Sequence, residues 1–413
     1  MDYEQLLEGC GEVGRRLLKS GAEIYRVEDT VRRMLAAYGV KASVFAIPTT
    51  LIVSITDAEG HTRTRLYRTH AVGGTDIEAV ERYNALSRAV CADPPEPSGL
   101  KALAEKTGDS CRTFSRWMIL LGYFWGALFF TLFFRGGLLE GLAAGIAAVC
   151  TGLCVMVLDR RKVNFFIKTF GAALVLGIVA YSLCALGLPI NMDMVVIGAI
   201  MVLVPGIAFT NFMCDLMMGD ALSGVSTFIR AVLTATAIAL GTGVALYLFR
   251  SMGFDTDGTA MLVAYGPLAQ LVIGFLACAG FCVLYNVHGG GAVLCCLGGT
   301  LGWGVYLAMS AVSDSIYICY VVAAMFISAY AEAMARVRKY PITSYLVVSY
   351  FPLVPGSYIY YAMYYSIQGE LTKALDKGLQ AIGLAACLAF GVLLVCTVVR
   401  TVSAWRKERR AAR

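Results

Sequence analysis

Apolar runs of about 20 residues, separated by short polar or charged stretches, follow one another from Phe114 onward. About 20 apolar residues in a helix cover the roughly 30 Å of hydrocarbon in a bilayer. The pattern therefore predicts ten membrane spans, at about 114–134, 138–158, 166–187, 193–214, 228–250, 261–284, 291–311, 315–333, 343–365 and 379–400.

The first 92 residues show shorter amphipathic and alternating segments instead. The stretches "YEQLLEGCGEVGRRLLKSG" and "AEIYRVEDTVRRMLAAYG" predict two helices. Three alternating or β-branched stretches, "VKASVFAI", "LIVSITDA" and "HTRTRLYRT", predict strands, and "GGTDIEAVERYNALSRAV" predicts another helix. Residues 1–92 are thus a predicted α+β domain, and the proline-rich residues from 93, with a short polar helix to 113, are a predicted linker and stalk.

The composition agrees with a membrane protein. Hydrophobic residues make up 58% of the 413, charged residues make up 15%, and the mean hydropathy is +0.70. These values lie outside the range of ordinary soluble domains. The N-terminal segment is too charged to be a secretory signal peptide, so we expect it to stay in the cytoplasm.

The net charge of +6 is explained by basic loops on one side of the predicted spans. "DRRKVNFFIK", "ARVRKY" and the tail "AWRKERRAAR" would all lie on the side of the N-terminus. Lysine and arginine are enriched in cytoplasmic loops. The bias predicts a multi-pass plasma-membrane protein with both termini in the cytoplasm, and it gives no reason to expect nucleic acid as a partner.

The 14 cysteines do not indicate a metal site or a disulfide framework. Most lie inside predicted spans, and none forms a CxxC pair. A buried free cysteine behaves as a small hydrophobic residue. We therefore expect reduced packing residues, no bound metal and no cofactor.

The motif LVPG occurs twice, at 203–206 and 353–356. Adding 150 to the residue number superimposes the two copies, and it also places Gly219 and Asp220 on Gly369 and Glu370. Each copy lies in the fourth span of a set of five. Two repeats are therefore predicted, at 114–250 and 261–400, followed by a basic tail at 401–413.

Five is an odd number, so consecutive five-helix repeats have opposite orientations in the bilayer. Inverted repeats of this kind are typical of transporters that bind substrate near the midplane on discontinuous helices. The predicted fold is an α-helical polytopic membrane protein of ten transmembrane helices in two inverted five-helix repeats, preceded by a cytoplasmic α+β domain.

The LVPG motifs indicate where a substrate pathway would lie. Proline removes a backbone donor and glycine removes stiffness, so each fourth span is expected to open at Pro205–Gly206 or Pro355–Gly356. Freed backbone groups are tolerated in a membrane only beside water, ligand or protein partners. The alternative is that each motif is a kink packed against its neighbours.

Polar residues close to these breaks complete the candidate pathway. Asn211 and Asp215 are four residues apart and share a helix face. An ionisable residue at membrane depth is a functional candidate, so Asp215 could carry a proton or cation and Asn211 could orient substrate. Alternatively, Asp215 lies at the interface and pairs with Arg230. The further candidates are Thr210, Asp220, Ser357 and Glu370.

Three stretches, "SGAEIYRVEDTVRRM", "TTLIVSITDAEG" and "VPGIAFTNFMCDLMMGDALSG", resemble the threonine/serine exporter family. The resemblance covers essentially the whole chain and is to the fused form, in which one chain combines the two components of two-gene systems. It implies export of small hydroxylated amino acids driven by the proton gradient. Some split members are instead linked to export of dicarboxylates such as succinate.

Glu23, Tyr25, Arg26, Glu28 and Asp29 cluster within about a turn and a half of the second predicted helix. We expect a gating, regulatory or structural role for them. Some members of the family have been discussed as having a hydrolase-like domain here. No catalytic residues are expected, because this domain shows no nucleophile elbow and only its His61 and His70 could serve a serine as base.

The expected function is secondary active export of a small polar metabolite. The partners would be the substrate, which is an amino acid or a dicarboxylate, together with protons and the lipid bilayer, and a homo-oligomer stays open. A passive metabolite channel is the alternative from another class. A membrane-anchored hydrolase is the third, and an enzyme is not expected.

Overall fold

The structure is a computed structural model that describes residues 2–57, 59–69, 74–217, 219–254 and 262–411. His70 lies outside the described residues. The chain divides into two compact units. The first comprises residues 1–114, 285–291 and 333–345, and the second comprises residues 115–284, 292–332 and 346–413.

The first unit contains a three-stranded antiparallel sheet with helices before and after it. Its elements are α1 (Tyr3–Lys19), α2 (Ile24–Ala37), β1 (Lys41–Ile47), β2 (Thr50–Thr56), β3 (Thr62–Arg68), α3 (Ile77–Ala92) and α4 (Pro97–Asp109). The strands pair in the order β1-β2-β3. Alternate residues Leu51, Val53 and Ile55 of the central strand are buried, as the period of two in a strand requires.

The core of this unit extends beyond residue 92. Leu100 and Ala104 of α4 are fully buried in the same core as the sheet, whereas the sequence interpretation assigned residues 93–113 to a linker and stalk. Pro97 lies in the first turn of α4, where a missing backbone N–H removes no helical hydrogen bond. The proline-rich stretch therefore starts a packed helix.

The second unit is helical. Its elements are α5 (Arg116–Phe133), α6 (Leu138–Arg160), α7 (Phe165–Ala185), α8 (Met192–Ile200), α9 (Gly206–Met217), α10 (Ala221–Ser251), α11 (Pro267–Leu284), α12 (Gly290–Ser310), α13 (Ile316–Arg338), α14 (Thr343–Ser349), α15 (Gly356–Ile367) and α16 (Leu371–Ala411). A 3₁₀ turn at Phe351–Leu353 separates α14 from α15. The ends of α12, α13 and α14 at 290–291, 333–338 and 343–345 belong to the first unit.

Eight helices of the described residues are long and apolar enough to cross a membrane: α5, α6, α7, α10, α11, α12, α13 and α16. The protein is therefore a polytopic helical membrane protein. The predicted fourth and ninth spans correspond to pairs of shorter helices, α8 with α9 and α14 with α15. The count of ten spans stays a prediction.

Two helices are longer than the apolar runs indicate. α10 begins at Ala221, where the apolar run begins at about 228, and α16 continues to Ala411. The predicted basic tail thus begins as helix. Lysine, arginine and glutamate are good helix formers, so a helix can continue where hydropathy falls.

The same residue offset recurs in the structure. Adding 150 to both ends of α9 gives both ends of α15, and adding it to the start of α10 gives the start of α16. The turns between these helices also match. Gly219 and Gly369 both have positive φ, and the amides of Asp220 and Glu370 each donate to a carbonyl five residues earlier at 2.9 Å.

Two helix crossings also repeat, with glycines 150 residues apart and partners 151 residues apart. A Cβ on Gly241 of α10 would lie 2.6 Å from the carbonyl oxygen of Phe170 and 2.8 Å from Cβ of Ala173. A Cβ on Gly391 of α16 would lie 3.1 Å from the carbonyl oxygen of Val321 and 2.6 Å from Cβ of Ala324. α10 therefore crosses α7 as α16 crosses α13, with a glycine at each closest approach.

These crossings give a stability prediction. Gly241→Ala and Gly391→Ala are each expected to destabilise the protein by about 1–3 kcal/mol, because the added methyl meets atoms that cannot swing away. Thermal unfolding of the purified protein in detergent measures this. Gly378→Ala is the control, since nothing lies within 4 Å of its Cβ position. Unchanged midpoints for both test variants would contradict the close approach.

Candidate functional site

The first LVPG motif breaks a helix. α8 ends at Ile200 and α9 begins at Gly206. The amide of Val204 makes a last i to i−4 bond to the carbonyl of Ile200 at 2.9 Å, and the amide of Leu203 shares that carbonyl at 2.7 Å, as at the end of a helix. Pro205 has no amide hydrogen with which to continue the helical bonding.

The second motif breaks a helix at the same relative position. After α14 and the 3₁₀ turn, the Gly356 amide donates to the carbonyl of Val354 at 2.7 Å. Pro355 has φ −74° and ψ 47°, which lies outside the helical region. α15 then starts at Gly356, and Ser357 lies half-buried in its first turn.

The two breaks contact each other. A Cβ on Gly356 would lie 2.6 Å from both Sδ and Cε of Met201. Met201 is the first residue after α8, so residues from the two halves of the chain meet where both helices are interrupted. The Phe351 ring of the second break also packs against Phe281 of α11, with ring centres 4.0 Å apart.

The two parts of the first broken span, α8 and α9, lie near opposite ends of α10. A Cβ on Gly224, near the start of α10, would lie 2.7 Å from Leu216 of α9. Val196 of α8 instead lines a cavity with Thr242, near the other end of α10. Gly224 and Thr242 are about 27 Å apart along a helix axis at 1.5 Å per residue. The Asp215 side and the Asp193 side of the breaks are therefore at opposite ends.

Polar contacts on the Asp215 side involve the turn into α10. The Ser223 hydroxyl donates to Oδ2 of Asp215 at 2.8 Å, and Ser223 is fully buried. Asp220 caps α10 by accepting the Ser223 amide at 3.2 Å. Asn211 is exposed, and the side chain of Thr210 lies outside the described residues.

Arg230, the alternative partner of Asp215, has its guanidinium 5.1 Å from the centre of the Phe165 ring. Glu370, the residue that the offset pairs with Asp220, forms an ion pair with Lys373 at 2.5 Å. The structure thus brings Asp215 and Asp220 into one turn and leaves Glu370 in the matching turn of the other half.

The Asp193 side was missed by the sequence interpretation. The Tyr360 hydroxyl of α15 donates to Oδ1 of Asp193 of α8 at 3.3 Å, and Tyr360 is buried. The signal was present in "YIYYAMYY", where Tyr360 and Tyr364 are one turn apart. Aromatic residues in an apolar run were counted only as part of a span.

Three of the five predicted gating residues form one cluster at the start of α2. Arg26 forms an ion pair with Glu23 at 3.5 Å, and its guanidinium donates to the Tyr25 hydroxyl at 3.3 Å. Burial acts to lower the pKa of Arg26, but Glu23 and Tyr25 together more than offset this, so the pKa is raised. The cluster keeps a buried guanidinium charged.

The other two predicted gating residues have structural contacts. Glu28 accepts the backbone amide of Ala46 in β1 at 2.9 Å, and thereby ties α2 to the sheet. Asp29 pairs with Arg33 at 2.9 Å, one turn along the same helix. These contacts stabilise the first unit, and all five residues belong to that unit.

Two loop segments from the helical half of the chain fold into the first unit. The side-chain amide of Asn286 donates to Oδ1 of Asp76 at 2.9 Å and to the carbonyl of Arg112 at 2.8 Å. The His288 ring stacks on Phe114 with centres 4.1 Å apart. The N-terminal residues are therefore bound to the loop between α11 and α12.

The loop between α13 and α14 makes similar contacts. Arg88 of α3 donates to the backbone carbonyl of Lys339. Glu81 of the same helix lies beside Ser344 and Arg338, and burial raises its pKa more than these two neighbours lower it. α3 thus packs on the segment that leads into α14, the first part of the second broken span.

Comparisons with known proteins cover most of the chain. Residues 8–249 match a family described as "Putative threonine/serine exporter", and residues 270–398 match one described as "Threonine/Serine exporter, ThrE". The chain is similar to a threonine/serine exporter of Corynebacterium glutamicum, with 22% identity over 401 residues, 93% of this chain and 80% of that protein. No solved structure matches.

Proposed function

The chain belongs to the threonine/serine exporter family, and from that membership we propose that it exports small α-amino acids, with threonine and serine as the first candidates. The family consists of membrane transporters, so this protein is a transporter and not an enzyme. The observation that carries the proposal is the contact between the two broken helices at Met201 and Gly356. Discontinuous helices at a repeat interface are where secondary transporters bind substrate.

The two halves of the helical unit are proposed to be inverted five-helix repeats. The shared offset of 150 in α9 and α15 supports this, as do the matching glycine crossings. Further support comes from packing, since α9 contacts α10 and α16 while α15 contacts α16 and α10. Rocking of one repeat against the other would expose the breaks to each side in turn.

Topology gives a direct prediction from the inverted repeat. Met217 and Ile367 end α9 and α15, and they are 42% and 40% exposed. With both termini in the cytoplasm, a membrane-impermeant maleimide added outside should label Ile367→Cys and leave Met217→Cys unlabelled. Mass spectrometry after labelling of intact cells measures the maleimide at each introduced cysteine and distinguishes it from labelling of the native cysteines. Equal labelling of both would contradict inversion.

The proposed route passes from the cytoplasmic side at Asp215 and Asn211, between the breaks, to the outer side at Asp193. Export against a gradient needs an energy source, and we propose proton coupling through Asp215. Its carboxylate lies half-buried, close to the first break, with a buried hydroxyl as hydrogen-bond donor.

The first unit is proposed to regulate transport from the cytoplasm. Its α3 packs on the loop that leads into α14, through Arg88 and Glu81. A change in this unit would therefore act on the first residues of α14, which belong to the same unit. The cluster of Glu23, Tyr25 and Arg26 would be part of the fold that holds α3 in place.

A substrate panel in proteoliposomes tests the function. Purified protein should mediate counterflow of threonine and serine, and an imposed pH gradient should drive their net movement. Succinate counterflow without threonine counterflow would instead assign the dicarboxylate alternative. Flux that rises linearly with concentration and shows no counterflow would identify a passive channel. Empty liposomes are the control.

A further inference from the structure

A small cavity lies on the Asp193 side of the breaks. It has a volume of about 10 Å³, which is room for one water-sized group. Tyr181 of α7, Thr242 of α10, and Tyr360 and Tyr364 of α15 line it, with Val196 and aliphatic neighbours completing the wall. Both halves of the chain therefore contribute tyrosines to one partly open pocket in the helical unit, whose wall is largely apolar.

The pocket has a carboxylate at its edge. Tyr360 donates its hydroxyl to Oδ1 of Asp193 at 3.3 Å, and Tyr360 is only 5% exposed. Asp193 also lies close enough to Tyr181 to act on it electrostatically, as does Arg250 at the end of α10. Asp193 and Arg250 therefore both lie near Tyr181, and Asp193 also accepts the Tyr360 hydroxyl.

This set of groups matches the head of an amino acid. An ammonium group is about the size of a water molecule, and it binds well to a carboxylate and to the faces of aromatic rings. A guanidinium nearby suits the α-carboxylate of the same molecule. A dicarboxylate would instead place a second negative charge next to Asp193, which is unfavourable.

We infer that Asp193, together with Tyr181, Tyr360 and Tyr364, binds the ammonium group of the exported amino acid on the outer side of the breaks, and that Arg250 faces its carboxylate. The inference rests on the proposed function and adds the residues that would recognise the head group of the amino acid. The cavity admits only the head group, so the rest of the molecule requires α15 to move from α8. That movement replaces the hydrogen bond between Tyr360 and Asp193 with a bond to substrate.

Binding can be measured without transport. Purified full-length protein in detergent is titrated with threonine, with threoninol, which keeps the ammonium and lacks the carboxylate, and with 3-hydroxybutyrate, which keeps the carboxylate and lacks the ammonium. The shift of the thermal midpoint with concentration gives each affinity. Asp193→Asn should lower the affinity for threonine and for threoninol at least tenfold, because it removes a charged hydrogen-bond partner. Its effect on 3-hydroxybutyrate should stay below twofold.

Further variants separate recognition from folding. Asp193→Glu keeps the charge and should retain more threoninol affinity than Asp193→Asn. Tyr360→Phe should lower the affinity for threonine by less than Asp193→Asn does, because the Asp193 carboxylate remains. Asp376→Asn, an exposed carboxylate near the start of α16, and Tyr247→Phe, a 73% exposed tyrosine on α10, should bind as the wild type does.

Several outcomes would overturn the inference. Threoninol affinity within twofold of wild type in Asp193→Asn would remove the carboxylate from ammonium recognition. Equal losses for all three compounds would show a general structural role. If Asp193→Asn binds threonine as the wild type does but no longer transports it in response to a pH gradient, Asp193 would be assigned to proton transfer instead. Failure of the proposed function is distinct, because the wild type would then bind ammonium compounds but mediate no threonine counterflow.

Discussion

Replacing Pro355 and Gly356 together by alanine is expected to reduce threonine counterflow at least tenfold while the protein still reaches the membrane. Alanine restores a backbone donor at 355 and favours continuous helix from α14 into α15. It also adds a methyl group at 356, 2.6 Å from Sδ and Cε of Met201. Both effects act at the contact between the two breaks.

Three comparisons identify the cause of the loss. The matching pair, Pro205→Ala with Gly206→Ala, should also impair counterflow, because it closes the other break. Adding Met201→Ala to Gly356→Ala removes the steric overlap at residue 356 but leaves the change in helix continuity. Recovery of counterflow in this variant would therefore identify overlap as the cause. Gly378→Ala lies in open space on α16 and should transport normally. Normal counterflow by both double variants would show that the motifs are only packing kinks.

The positions of the breaks were predictable because their cause is local. Pro205 and Pro355 interrupt helical hydrogen bonding wherever they stand, and Gly206 and Gly356 each begin a new helix in the structure. The contact between Met201 and Gly356 was not predictable. It joins residues far apart in sequence, and it depends on how α8 and α15 pack.

Residues with two possible roles were the hardest to assign. The offset from the repeat made Asp220 a pathway candidate, but its side chain caps α10, a role that aspartate often has at a helix start. Tyr360 was treated as part of an apolar run. Only the partner on α8 shows that its hydroxyl is used.

The elements of the first unit were predicted best where the pattern was strongest. The three predicted strands appear as β1, β2 and β3, because alternation of buried and exposed residues is a property of each strand alone. A helix was predicted where α4 lies, but its packing was not, since the burial of Leu100 and Ala104 depends on their partners in the core of the first unit.

Asp215→Asn is expected to abolish threonine export driven by a pH gradient while preserving threonine-for-threonine exchange. A residue that carries the coupled proton must gain and lose it in each cycle, and asparagine cannot. Exchange needs no net proton movement, so it should continue. The amide oxygen of asparagine can still accept the Ser223 hydroxyl that now donates to Asp215 at 2.8 Å, and the local structure should therefore persist.

Both modes are measured in proteoliposomes, with Asp159→Asn as the control because that carboxylate is exposed and pairs with Lys168. If Asp215 serves only as an ion-pair partner of Arg230, both modes should fall together, and exchanging the two residues should restore them. Full gradient-driven export by Asp215→Asn would remove the residue from the mechanism. The coupling group would then have to be sought among the other carboxylates of the spans, beginning with Asp193, which accepts the Tyr360 hydroxyl from the other half of the chain.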